Sequence, residues 1–66
     1  MLNKVIAANI RCFRKHKKLS QKELANRIGT TRQHICDIER CEKNVSIAML
    51  EKIAKKLNVE PYQLLK

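Results

Sequence analysis

Residues 19–40 read Leu-Ser-Gln-Lys-Glu-Leu-Ala-Asn-Arg-Ile-Gly-Thr-Thr-Arg-Gln-His-Ile-Cys-Asp-Ile-Glu-Arg, and they contain two helix starts and one helix stop. Ser20 followed three residues later by Glu23 is a capping box, and Leu19 with Leu24 stands at the spacing of a hydrophobic staple. A helix therefore starts at Ser20, with Leu24, Ala25 and Ile28 along its inward face. Gly29, the only glycine in the chain, ends it, because glycine takes the left-handed conformation beyond a helix without steric cost. Thr31 is a good N-cap for a second short helix, whose inward positions are Ile35 and Ile38 and whose end falls near Arg40. Two short helices joined by a tight glycine turn are what a helix-turn-helix requires, since the turn must set them at a steep angle.

Working outward, the same signals recur. Leu2, Ile6, Ile10 and Phe13, spaced by four, four and three, place one apolar face inward over about three turns and predict a first helix to about Lys17. Arg14, Lys15 and Lys17 near its end complement the negative pole of the helix dipole. Toward the C-terminus, Ser46 caps a helix with Val45 and Leu50 as its staple and Leu50, Ile53, Ala54 and Leu57 as its apolar face. Asn58 ends that helix. Pro61 then starts a fifth short helix at the position where its missing N–H costs nothing, with Val59 and Leu64 as the staple pair. The expected fold is all-α: one compact five-helix domain over residues 1–66, with the helix-turn-helix formed by helices 2 and 3.

Composition narrows the function classes. A chain of 66 residues buries only roughly 60% of its unfolded surface, which disfavours a deep enclosed catalytic cleft. No nucleophile, base and orienting residue recur at a plausible spacing, so a non-enzymatic role is expected. Fifteen Lys and Arg against six Asp and Glu give a net charge of +9. Residues 1–33 hold nine basic and one acidic residue, and residues 34–66 hold six and five, so the excess sits in the first half. That asymmetry points to a polyanionic partner.

No apolar run approaches the ~18 residues of a membrane span, and the N-terminal stretch is too short and interrupted for a signal peptide, so a cytoplasmic location is expected. A membrane-surface peptide would be one long amphipathic helix, whereas caps and staples predict several short ones. Cys12, Cys36 and Cys41 are odd in number and carry no export signal, so reduced thiols are expected. Cys12 and His16, or His34, Cys36 and Cys41, do not form the short Cys-x2-Cys pairs of structural zinc sites, so no metal or other cofactor is expected. Cys12 and Cys36 read as semi-buried packing residues, and Cys41 as an exposed thiol.

The non-core residues of helix 3 are Arg32, Gln33, His34, Cys36 and Asp37, and the first three occupy the N-terminal turn that approaches base edges in such motifs. Arginine forks onto guanine O6 and N7, and glutamine pairs with adenine N6 and N7. Asp37 has two readings of equal weight. It can accept from cytosine N4, or it can orient Gln33, which lies one turn earlier. RNA is disfavoured, because Phe13 reads as core and Tyr62 alone makes no stacking platform.

The run from Leu19 to Ala25, then Gly29 to Ile35, then Asp37-Ile38-Glu39-Arg40, continuing through Asn44, Ser46, Leu50, Lys52, Ile53, Ala54, Leu57 and Val59 to Leu64-Leu65, resembles the phage repressor and Cro type of helix-turn-helix regulator, the Xre family. The resemblance covers about residues 6–65. It implies a double-stranded DNA partner, base reading by Arg32, Gln33, His34 and Asp37, and phosphate contacts from Gln21, Thr31, Arg40, Lys43 and Asn44. It also implies a structural ion pair of Arg14 with Glu39. Such domains dimerise through the C-terminal helix, which offers Pro61, Tyr62, Gln63 and Leu65 outside the core position of Leu64.

The implied function is a transcriptional regulator, encoded by a bacterium or phage, that binds a pseudo-palindromic operator as a homodimer and is held at the nucleoid by its DNA. The Glu39-Arg40 and Lys43-Asn44-Val45-Ser46 stretches are similar to the controller proteins of restriction-modification systems. The alternative within the same fold is an antitoxin whose main partner is a toxin protein. The sequence departs from the family pattern at Lys18 and Cys41, where glycine is usual at a helix end, and at Val45, where proline is common. A non-glycine residue in the left-handed conformation costs ~1 kcal/mol, so those turns are either strained or shaped differently.

Overall fold

The computed structural model describes residues 2–42 and 44–66, with only the backbone of Leu2 and Asn3. Among these described residues are four α-helices: α1 (Leu2–His16), α2 (Gln21–Ile28), α3 (Arg32–Glu39) and α4 (Ile47–Lys56). The expected fifth helix is instead a single 3-10 turn over Pro61–Leu64. Its ladder consists of short i to i+3 bonds, Gln63 N to Glu60 O at 2.9 Å and Leu65 N to Tyr62 O at 3.0 Å. Four residues that must also bring Leu64 into the core leave no length for an α-helical ladder.

Each cap does what its residue type allows. The Glu23 N–H donates to Ser20 Oγ at 3.0 Å, and the Ser20 N–H donates back to Glu23 Oε1 at 2.9 Å, completing the capping box. The Ser20 backbone N–H first, and the Ser20 hydroxyl second, hold the Glu23 carboxyl below the usual carboxylate range. Thr31 Oγ1 and Ser46 Oγ accept from His34 N and Met49 N, each at 3.1 Å. These two caps supply hydrogen-bond partners for N–H groups that have none inside the helix.

All four helices end in the same way. A left-handed residue is followed by an N–H that reaches back five positions: Leu19 to Arg14 O at 3.1 Å, Thr30 to Ala25 O at 2.9 Å, Glu42 to Asp37 O at 2.9 Å and Val59 to Ala54 O at 3.0 Å. The left-handed residues are Lys18 (φ 59°), Gly29 (φ 74°), Cys41 (φ 62°) and Asn58 (φ 59°). Lys18 and Cys41 therefore keep the left-handed turn in which glycine was expected.

One apolar cluster joins the elements. Ile6 and Ile10 from α1, Leu24, Ala25 and Ile28 from α2, Ile35 and Ile38 from α3, and Leu50, Ile53, Ala54 from α4 meet Leu19, Leu57 and Leu64. Phe13, Val45, Met49 and Val59 pack on it partly buried. α3 lies against α1 and α2, while α4 packs on α2, and the 3-10 turn closes the far end against α1 and α4. Asn9 Nδ2 donates to Leu64 O at 3.0 Å, tying the first helix to the C-terminal turn.

Candidate nucleic-acid interface

The attachment of α3 decides what its outer face can do. Ile35 and Ile38 anchor its inner side, at 0% and 1% exposure. Its C-terminal residue, Glu39, receives a fork of two hydrogen bonds from Arg14, Nε to Oε2 at 2.7 Å and Nη2 to Oε1 at 3.2 Å. Arg14 Nη1 donates at 2.7 Å to the carbonyl of Leu19, just before α2, and Gln21 Nε2 donates at 3.2 Å to Glu39 Oε1. One guanidinium and one carboxylate thus join α1, α2 and α3. Both side chains are nearly buried, at 10% and 4% exposure. A desolvated pair of this kind is stable only when its remaining donors and acceptors are used. Among the described residues no buried side-chain nitrogen or oxygen lacks a partner.

With the inner side fixed, Arg32 and Gln33 stand exposed on the outer face, and His34 and Asp37 are half-buried beside them. Gln33 Nε2 donates to Asp37 Oδ1 at 2.8 Å. An ionised carboxylate only accepts, so this bond fixes which way the Gln33 amide points. One amide N–H and the amide oxygen remain available. That donor and acceptor pair is the complement of adenine N7 and N6. Beside it, the exposed Arg32 fork carries the donors that match guanine O6 and N7.

The described residues among those expected at phosphate are in different states. Thr31 accepts a hydrogen bond as N-cap and keeps its hydroxyl hydrogen to donate. Gln21 is half-buried at the start of α2, with its amide nitrogen on Glu39. Arg40 Nε pairs with Glu42 Oε1 at 3.1 Å, and Arg40 Nη1 reaches Cys36 Sγ at 4.0 Å. The Cys36 contact first, and the Glu42 charge second, raise the Arg40 pKa above its usual value. Asn44 is exposed at the start of the segment leading to α4, and Lys43 lies outside the described residues.

Away from α3, Tyr62 and Leu65 are exposed by 58% and 43%, while Pro61 and Gln63 are half-buried. Lys66 Nζ sits 5.2 Å from the centre of the Tyr62 ring, a cation-π contact. Gln63 Oε1 accepts from the Glu60 N–H at 2.8 Å, so its side chain is committed to capping the turn.

Several features escaped the sequence reading. Ile47, at the start of α4, is 76% exposed, a large apolar side chain left in solvent. The Gln21 link to Glu39 joins residues far apart in sequence, and no local pattern announces it. The four-residue spacing of Cys36 and Arg40 was available as a signal. Cys12 is exposed rather than semi-buried. It lies two residues past Ile10, about 200° around the helix, on the side away from the core.

Comparison with known proteins places this geometry. The HTH_3 helix-turn-helix profile matches residues 10–64. A hypothetical transcription factor of Neisseria meningitidis is 42% identical over 64 residues, 97% of this chain and 60% of that protein. The chain thus spans less than two thirds of that relative's length. The control protein C.SmaI of Serratia marcescens is 38% identical over 64 residues, 97% of this chain and 76% of that one. Among solved structures, the hypothetical transcription factor NHTF from Neisseria superposes with a TM-score of 0.96 at 41% identity, covering 100% of this chain and 76% of its own. SinR, a master regulator for biofilm formation solved in complex with DNA, gives 0.85 at 37% identity, covering 92% and 98%. The match through both helices of the motif and on to Leu64 makes this chain a member of the HTH_3 family of helix-turn-helix proteins.

Proposed function

We propose that the chain is a sequence-specific, double-stranded DNA-binding transcriptional regulator that works as a homodimer, with α3 in the major groove. The observation that carries this reading is the outer face of α3, where Arg32 is exposed beside a Gln33 amide whose orientation is fixed by Asp37. Arg32 reads guanine and Gln33 reads adenine, with His34 beside them. Asp37 acts chiefly by positioning Gln33 and secondarily by rejecting bases that present only acceptors. Gln21, Thr31, Arg40, Lys43 and Asn44 hold the phosphates on either side. The relatives support the reading: one is named a transcription factor, one a control protein, and one was solved with DNA.

Tyr62 and Leu65, exposed beside Pro61 and Gln63, form the face on which two copies meet. A two-fold dimer sets its two α3 helices about 34 Å apart and calls for a pseudo-palindromic operator. A regulator of this kind works in the cytoplasm, on the chromosome or on phage DNA. No enzymatic step or cofactor enters the mechanism.

Selection of bound sequences from a random duplex library tests the proposal. A pseudo-palindrome with half-sites one helical turn apart is expected from the parent chain. The Arg32→Ala variant is expected to bind ~1–3 kcal/mol more weakly and to lose its guanine preference at one position per half-site. An unchanged preferred site in that variant refutes the base-reading assignment.

A further inference from the structure

Among the described residues, two carboxylates each hold a glutamine amide. Asp37 holds Gln33 within α3, and Glu39 holds Gln21, the first residue of α2, whose Nε2 donates to Glu39 Oε1 at 3.2 Å. The second bond crosses between helices and joins residues eighteen positions apart. Its acceptor is also the more confined: the Glu39 side chain is only 4% exposed and takes two further hydrogen bonds from Arg14.

An ionised carboxylate has no hydrogen to give, so it settles which end of an amide faces it. If Gln21 Oε1 turned toward Glu39, two acceptors would meet with no hydrogen between them. The amide nitrogen faces Glu39 instead, with one of its two hydrogens engaged, and the second N–H is left over. A phosphate oxygen also only accepts, and it takes that N–H. Gln21 is half-buried rather than enclosed, so part of its surface stays open to a ligand. A bare carboxylate beside a phosphate would repel it. Here Arg14 forks onto both Glu39 oxygens, at 2.7 and 3.2 Å, and cancels the charge. The positive pole of α2 lies at the same residue and favours an anion.

We propose that Glu39 is a positioning residue for the DNA backbone: its carboxylate, neutralised by Arg14, turns the Gln21 amide so that the free N–H is preset for a phosphate oxygen. The inference rests on the DNA-binding reading and on the phosphate role of Gln21 within it. Glu39 closes α3 and Gln21 opens α2, so the clamp on phosphate is set by the helix that reads bases. Phosphate contacts fix the register in which that helix meets the groove. Holding the side chain beforehand removes an ordering cost from binding, worth about three- to tenfold in affinity.

The test is a double-mutant cycle on a fluorescein-labelled duplex of about 30 base pairs and mixed sequence, read by anisotropy across a sodium chloride series. Gln21→Met is expected to weaken binding about tenfold in the parent chain, and about threefold or less in the double variant Arg14→Met with Glu39→Leu. Neither change alters the net charge, so the slope of log affinity against log salt is expected to stay that of the parent. Circular dichroism checks that the double variant is helical. If Arg14 and Glu39 only hold the helices together, Gln21→Met costs the same in both backgrounds. In the parent chain without DNA, NMR relaxation of the Gln21 side-chain amide is expected to show a group as ordered as the backbone, unlike glutamine in an unstructured peptide. An additive cycle, a Gln21→Met variant that binds like the parent, or a Gln21 amide as mobile as the peptide's overturns the proposal. Failure of the underlying reading looks different: the parent chain itself then does not bind the duplex at low salt, which removes both.

Discussion

Replacing Lys18 by glycine is expected to stabilise the chain, and the geometry sets the size of the effect. Lys18 holds φ 59° in a turn with the same reach-back hydrogen bond that surrounds Gly29 at φ 74°. A side chain in this conformation costs about 1–2 kcal/mol, which glycine removes. Glycine also gives the unfolded chain more freedom, which returns roughly 0.4–1 kcal/mol. The net gain is about 0.5–1 kcal/mol, and the same arithmetic applies to Cys41→Gly at φ 62°. The sites are at the ends of different helices, so the double variant is expected to gain about 1–2 kcal/mol if the effects add. In a domain of this size each kcal/mol raises the melting temperature by about 4–8 °C.

Gly29→Ala provides the reverse measurement. A Cβ built on Gly29 meets no atom within 4 Å, so that substitution carries backbone strain without a clash and is expected to cost about 1 kcal/mol. Urea titrations of the three single variants and the double variant, read by circular dichroism, check the set. Unchanged m-values are required for the shifts to report stability. If both glycine variants are neutral or less stable while Gly29→Ala is tolerated, the strain argument fails.

Arg14→Met is expected to cost about 3–5 kcal/mol because it leaves the Glu39 carboxylate buried and unpaired, and adding Glu39→Leu is expected to recover much of the loss; chemical denaturation of both variants measures it. The depressed Glu23 pKa means that the folded carboxylate holds its proton less tightly than the unfolded one. Its contribution is therefore present above the unfolded value near 4.5 and lost as pH falls through the folded value. Thermal melts are expected to fall more steeply below that pH for the parent chain than for Glu23→Gln, and parallel curves count against the linkage. Asp37→Ala is expected to relax base preference at the Gln33 position and to strengthen binding to unrelated DNA, as a selection experiment and a competition titration read out. Tyr62→Glu with Leu65→Glu is expected to yield a monomer by analytical ultracentrifugation while leaving α-helix content intact.

Signals carried by adjacent residues were legible in the sequence. Ser20 with Glu23, Thr31 and Ser46 named three helix starts, because a cap acts within one turn and the residue types that cap are few. Ile6, Ile10, Leu24, Ile35, Ile53 and Leu57 named the core, because the helical period fixes which positions share a face. Turn shape was harder to read, because the left-handed conformation is advertised by glycine and three of the four turns use Lys18, Cys41 and Asn58 instead. The final element was read as a helix because proline marks a helix start without specifying how the ladder continues. Contacts across the fold, such as Gln21 to Glu39 and Asn9 to Leu64, arise from helix docking and leave no local trace. The pairing of Arg14 with Glu39 entered through family resemblance, since their separation along the chain carries no signal.

The bonds that hold α3 and the groups that face outward from it are nearly separate sets. Attachment runs through Thr31, Ile35, Ile38 and Glu39, whereas Arg32 and Gln33 face outward and the Gln33 amide bonds only within the helix, to Asp37. Changes at positions 32, 33 and 37 therefore leave the docking of α3 undisturbed. On the proposed DNA-binding reading such a reading head is interchangeable: a lineage that copies the chain can alter what it recognises in small steps while the docking of α3 is kept. The same separation offers a grafting route, in which these few positions are exchanged between relatives to move a preferred sequence from one scaffold to another.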